Sequence, residues 1–137
     1  MEILVCVKRV PDTSENEIEV NSSGTDVDRD DLVYSVNEWD NYAVEEAIQI
    51  VDKTGGAVTV VSMGDEESEE VVRREMAMGA NNGILVSDDA FKGSDGKAVA
   101  TILKAVVGLV GQAMTSTFWN AGRKSFLIRV RTLRARP

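Results

Sequence analysis

Apolar and polar positions along the chain alternate between short continuous apolar runs and longer amphipathic stretches. Glu2 to Val7, EILVCV, is a branched apolar run that suits a strand covered on both faces in a parallel sheet, and Lys8 to Asp12 breaks it. Glu17 to Val20, EIEV, alternates and is followed by NSSG, which predicts a short peripheral strand or hairpin; Asp26 to Asp31 reads as exposed acidic loop. SVNEWDNYAVEEAIQIVDKTGG predicts a helix capped by Asn37 or Asp40, facing inward with Ala43, Ala47, Ile48 and Val51, and stopped by Gly55-Gly56. Ala57 to Met63 predicts a second buried strand. SEEVVRREMAMGA follows as a helix with Val72 and Met76 one turn apart, closing at Gly79. Gly83 to Asp88 predicts a third strand, and Ser94 to Val107 a third helix with Val99, Ile102, Leu103 and Val106 inward. Strands alternating with helices imply right-handed crossovers. The expected class is α/β, a doubly wound parallel sheet with helices on both faces.

Length and charge change this picture at one end. The 137 residues suit one domain, or one incomplete domain. Residues 1–106 hold 9 Lys and Arg against all 23 Asp and Glu, a balance of -14, whereas residues 107–137 hold 6 basic residues and no acid. The bulk of the chain repels nucleic acid and anionic lipid, so neither is an expected partner. With no histidine and the single Cys6, a His/Cys zinc site and a His-activated nucleophile are excluded. No apolar run approaches the ~20 residues of a membrane span, and MEILVCVKRV is too quickly charged for a signal peptide, so no membrane insertion and a cytoplasmic location are expected.

In doubly wound sheets ligands bind outside the carboxyl ends of the strands. Those positions here are Cys6 to Arg9, Met63-Gly64-Asp65 and Ser87-Asp88. No Gly-x-Gly-x-x-Gly follows a strand and no P-loop is present. Cys6 reads either as a small buried hydrophobe or as a ligand contact. Lys8 and Arg9 read as a solvated turn or an anion contact. Trp39 either staples the first helix to the sheet or joins Asn37 and the helix start in holding a nucleobase and phosphate.

MEILVCVKRVPDT, SVNEWDNYAVEEAIQI, and VTVVSMG followed by REMAMGANNGILVSD resemble, in this order, the electron transfer flavoprotein beta subunit (FixA-type) family across about residues 1–107. The resemblance implies a Rossmann-like fold, incomplete at the C-terminus, paired with an alpha subunit that carries the redox FAD. It implies an adenine nucleotide in this subunit, AMP or a second FAD. Electrons then pass from acyl-CoA-type dehydrogenases to a quinone reductase or another acceptor, so this chain is a carrier subunit with no catalytic residue. The implied nucleotide contacts fall at Cys6, at Asn37, Glu38, Trp39 and Asp40, and at Met63. The family often has Asn-Pro-Phe or Asn-Pro-Tyr where this chain has Asn37-Glu38-Trp39. Two other readings are a stand-alone adenine-nucleotide sensor resembling universal stress proteins, whose glycine-rich phosphate loop is missing, and a binding protein with a basic arm.

After the third helix the family continues with a strand of the type FDLILxG and a GxQxxDxD loop around the phosphates, and neither is found here. Read from the third base of each codon, Met114-Thr115 gives aspartate, Phe118-Trp119 leucine and Trp119-Asn120 glutamate. The shifted frame can therefore spell YDLxLLE at the expected place. Residues 1–107 are accordingly expected to be the N-terminal part of the nucleotide-binding domain, and 108–137 a basic, out-of-frame tail. The alternating FLIRVRTLR has a second option, pairing as an edge strand. Reading the gene through codons 107–112 is expected to show an insertion or deletion, or a base error. An unbroken gene whose other frames lack a YDL-type continuation contradicts the expectation.

Overall fold

The computed structural model describes residues 1–113 and 129–134. In chain order the elements are β1 (Glu2–Cys6), β2 (Arg9–Pro11), β3 (Tyr34–Val36), α1 (Glu38–Thr54), β4 (Ala57–Met63), α2 (Glu69–Met78), β5 (Asn82–Ser87), α3 (Gly96–Ala113) and β6 (Arg129–Arg134). Four strands form a sheet in the order β1-β4-β5-β6, and β2 and β3 form a separate antiparallel pair. β4 runs parallel to both neighbours, with Val60 opposite Val5 on β1 and Gly83 on β5.

β4 is apolar on both faces because both faces are covered. Val58 and Val60 pack with Val44, Ala47, Val71 and Val72 beneath α1 and α2. Val61 packs with Ile84, Val86 and Val106 beneath α3. All three β4 valines are at most 1% exposed, a burial that stabilises by about 1.5–3 kcal/mol each. The chain is thus an α/β, Rossmann-like fold in which the three parallel strands β1, β4 and β5 carry helices on both faces.

That arrangement has a topological consequence. α1 and α2 lie on one face, and the two crossovers carry the sheet from β1 through β4 to β5. α3 lies on the other face. With right-handed crossovers, a change of face reverses the direction of travel, so a parallel strand following a helix on this second face would pair beyond β1. Among the described residues β1 is paired on the β4 side alone, and β6 instead returns antiparallel on β5.

Four local expectations are corrected. The inward stripe of α1 is Val44, Ala47, Ile48 and Val51, not Ala43, because i, i+3, i+4 and i+7 share one side and Ala43 is turned about 100° away from it. β1 is covered on both faces only in part: Ile3 and Leu4 pack half-buried against the α1/α2-side and α3-side clusters, and Val5 alone is fully buried along its length, because one edge is unpaired among the described residues. EIEV forms no strand, and only a bridge from Val20 to Val27 remains there. The peripheral antiparallel pair is built by β2, within the stretch read as a strand breaker, and β3, which takes Ser35 and Val36 from the stretch read as the first helix; Pro11 lacks an N–H but closes the end of β2 opposite Tyr34. β6 and the end of α3, past Val107, lie within the stretch 108–137, and β6 realises the edge-strand option for FLIRVRTLR.

A Cβ at Gly83 would meet Val72 Cγ1 at 2.5 Å and Met76 Sδ at 2.6 Å, so only glycine lets α2 approach β5 this closely. Gly83→Ala is expected to lower the free energy of urea unfolding by about 1–3 kcal/mol through overpacking. An unchanged unfolding midpoint contradicts this packing.

Candidate functional site

The carboxyl end of β1 and the start of α1 are tied together by Asp40. Asn37 is extended (φ -61, ψ 128), so the chain enters α1 from the sheet without a side-chain cap. From the first turn, Asp40 Oδ2 accepts the Lys8 N–H at 2.9 Å and Oδ1 accepts the Asn37 side-chain amide at 2.9 Å. The Asn37 N–H donates to the Lys8 carbonyl at 3.0 Å. Each carboxylate-accepted bond contributes about 1.5–3 kcal/mol, so the turn after β1 is set by one side chain.

Cys6 ends β1 and is exposed, which overturns the reading as a buried hydrophobe. Partial desolvation and then the charge of Asp40 push its thiol up, so it stays a neutral thiol and offers a soft contact in place of a nucleophile. Trp39 is 75% exposed and does not staple α1 to the sheet. Its ring packs against Tyr42, with centroids 6.0 Å apart at 59°. The Tyr42 hydroxyl donates to Glu38 at 3.1 Å, and that bond pushes the hydroxyl up. Cys6, Asn37 and Asp40 therefore gather at the end of β1, while Glu38 and Trp39 are exposed on the first turn of α1.

Met63 ends β4 and packs on the α3-side cluster. With Gly64, Asp65, Ser87 and Asp88 it lines a cleft of about 960 Å³, so two of the three strand ends singled out in the sequence share one depression. The lining holds five acidic residues and two basic ones, Arg29 and Lys92. Both cations are engaged by the cleft's own acids, Arg29 with Asp26 at 3.1 Å and Lys92 with Asp89 at 2.8 Å. Arg9 is likewise committed: its guanidinium stacks 3.9 Å from the Tyr34 ring centroid and pairs with Glu67 at 2.9 Å. No group of three or more Cys, Asp or Glu is placed to hold a metal ion among the described residues.

Glu75 is the residue that sequence reasoning missed. It is fully buried on α2, and neither carboxyl oxygen has a hydrogen-bond partner among the described residues. Burial pushes its carboxyl up; Arg74 opposes the shift and Asp40 adds to it. The signal was its spacing: Val71, Val72, Glu75 and Met76 fall on one side of a helix.

A family model described as "Electron transfer flavoprotein domain" matches residues 25–114. The chain belongs to the electron transfer flavoprotein family. Its relatives place it with the beta-type, FixA-type members. It is 39% identical to Protein FixA of Azotobacter vinelandii, over 83% of this chain and 40% of that protein. It is 40% identical to the electron transfer flavoprotein subunit beta of Methylophilus methylotrophus, over 78% of this chain and 41% of that one. It is also 40% identical to the acryloyl-CoA reductase electron transfer subunit gamma of Anaerotignum propionicum, over 81% of this chain and 41% of that protein. The chain thus spans about two-fifths of the length of these relatives. The span matched by the electron transfer flavoprotein model contains Asn37 to Asp40 and Met63 but not Cys6. No helix among the described residues is long and apolar enough to cross a membrane.

The buried Glu75 makes stability depend on pH. Unfolded, it ionises near its ordinary 4.5; folded, it holds its proton to higher pH. Between those values the folded state binds more protons, so this contribution is full below 4.5 and is lost as pH rises through the folded value. Asp12, Asp26 and Asp89 act in the opposite sense at lower pH. Hydrogen bonds from Ser14, Val27 and Lys92 hold them below 3.8, so their contribution is present above that value and lost as pH falls. The urea midpoint is expected to fall as pH rises above 4.5, and Glu75→Gln to flatten that slope. Equal slopes in the two proteins contradict the assignment.

Proposed function

We propose that this chain is the N-terminal part of an electron transfer flavoprotein beta-type subunit, holding an adenine nucleotide, AMP or FAD, at the carboxyl end of β1. It partners an alpha subunit that carries the redox FAD. Electrons pass from acyl-CoA-type dehydrogenases to a quinone reductase or another acceptor in the cytoplasm, and this subunit supplies no catalytic acid or base. The stretch 108–137 is the out-of-frame tail, and the chain by itself carries no electron-transfer activity.

The observation that carries the reading is the change of face at α3. Where successive crossovers lie on opposite faces, the strand order reverses, and the crevice at that reversal is where open α/β sheets bind nucleotides. A parallel strand following α3 would put that reversal beside β1, where Asp40 sets the turn and Cys6 and Asn37 stand.

The fit to a nucleotide is one-sided. The nucleoside end is matched by an amide at Asn37, a neutral thiol at Cys6 and the apolar end of β4 at Met63. For the phosphates, Arg9, Arg29 and Lys92 are already paired with acids, and Glu38 and Asp40 bring negative charge to the start of α1. A flavin, when bound, supplies the redox chemistry of the family; the residues of this chain orient the adenine end. Calorimetry on the full chain is expected to give adenosine and AMP similar affinities, within about three-fold, and Asn37→Ala is expected to weaken both by about five-fold or more. Co-expression with an electron transfer flavoprotein alpha subunit is expected to yield a yellow complex. Absence of adenosine and AMP binding at millimolar concentration, together with no co-purification, sinks the reading.

A further inference from the structure

β1 has one open side among the described residues, and the backbone fixes which groups face it. The Met1 carbonyl accepts the Ala57 N–H at 3.2 Å and the Val7 N–H donates to the Val61 carbonyl at 2.8 Å, so the odd-numbered residues of this strand turn their polar groups to β4. Glu2, Leu4 and Cys6 therefore turn theirs outward. At Lys8 the open edge ends, because its outward N–H is held by Asp40 and its outward carbonyl by the Asn37 N–H. The edge is thus centred on Leu4, and neither a proline nor a bulge blunts it. α1 lies over β1 and β4 together and leaves that side free.

Side chains alternate across the strand. Ile3 packs half-buried on the α1/α2 side and Leu4 on the α3 side, so Glu2, Cys6 and Lys8 stand with Leu4 on the α3 face. Glu2 and Lys8 are opposite charges at the two ends of the edge. Both are exposed, and neither is in an ion pair among the described residues.

We propose that this edge is an interface between two copies of the chain, in which β1 pairs antiparallel with β1 of a second copy about Leu4 to make one continuous sheet. A closed two-fold needs a self-complementary patch, and this edge is one. Leu4 faces Leu4 of the second copy, Glu2 faces Cys6 in both directions, and their outward N–H and C=O groups exchange hydrogen bonds. Glu2 then reaches Lys8 of the second copy on the diagonal, once at each end. A parallel strand from another polypeptide satisfies the same backbone groups but leaves the match to Glu2 and Lys8 to its own sequence. The proposal does not rest on the nucleotide reading.

The test is sedimentation equilibrium of the full chain from about 10 μM to about 1 mM at neutral pH, in about 0.15 M salt to screen the long-range repulsion of two acidic copies. A monomer–dimer equilibrium is expected. Glu2→Lys is expected to weaken the dimer by about five-fold or more, and the double variant Glu2→Lys/Lys8→Glu to restore it. The register is read by Glu2→Cys under mild oxidation. Facing residues lie about 5.5 Å apart between Cα atoms, within reach of a disulfide, whereas positions 2 and 6 of one strand are about 13 Å apart. A reducible dimer is expected, linked from position 2 of one copy to Cys6 of the other, while the wild type, whose two Cys6 residues lie apart, gives none. A monomer at every concentration overturns the proposal, as does a dimer that ignores Glu2→Lys or whose disulfides join position 2 to position 2 or Cys6 to Cys6. Glu2 and Lys8 are exposed, so these variants keep the fold.

Discussion

The burial of β4 on both faces is the constraint from which the rest of the structure follows. A parallel strand cannot pair with its sequence neighbours through hairpins, so it needs crossover helices, and those helices must cover the strand they cross. α1 and α2 cover the face of Val58 and Val60, and α3 covers the face of Val61. With α3 on the second face, a parallel strand after it would reverse the order of travel and make the end of β1 the crevice of the sheet. Gly83 belongs to the same constraint, since a side chain there would hold α2 away from β5.

Asp40 converts that architecture into a site. The first turn of α1 stands at the end of β1, and one carboxylate spans the gap by accepting from Lys8 and Asn37. The same charge reaches Cys6 on the strand and Glu75 in the core. The phosphate side contrasts with this: Arg9, Arg29 and Lys92 are engaged by neighbouring acids, and the balance over residues 1–106 is -14.

Much of this was legible in the sequence, and the misses share physical causes. β4 and β5 were readable because strands covered on both faces carry continuous branched apolar runs. β2 was not, because Pro11 reads as a breaker when only its ring is considered and as a strand end when pairing with Tyr34 is known. Ala43 and Val44 differ by one position in a helical pattern, and only packing against β4 decided between them. Trp39 gave an aromatic signal without a direction, and exposure followed from α1 turning Val44 inward. Glu75 was hidden because a glutamate on an amphipathic helix is assumed to face water. Cys6 was misjudged because the apolar run of β1 says nothing of whether its outer edge is covered.

The central claim is that the turn after β1 and the start of α1 form the adenine contact, and not the acidic wall, Asp26 to Arg29 and Asp88 to Gly93, of the cleft that Met63 also lines. Photolabelling of the full chain with 8-azidoadenosine, followed by peptide mass spectrometry, separates the two. The account expects adducts on the peptides containing Cys6 to Lys8 and Asn37 to Trp39, reduced by competing AMP. Competable adducts confined to Asp26 to Arg29 and Asp88 to Gly93 contradict it.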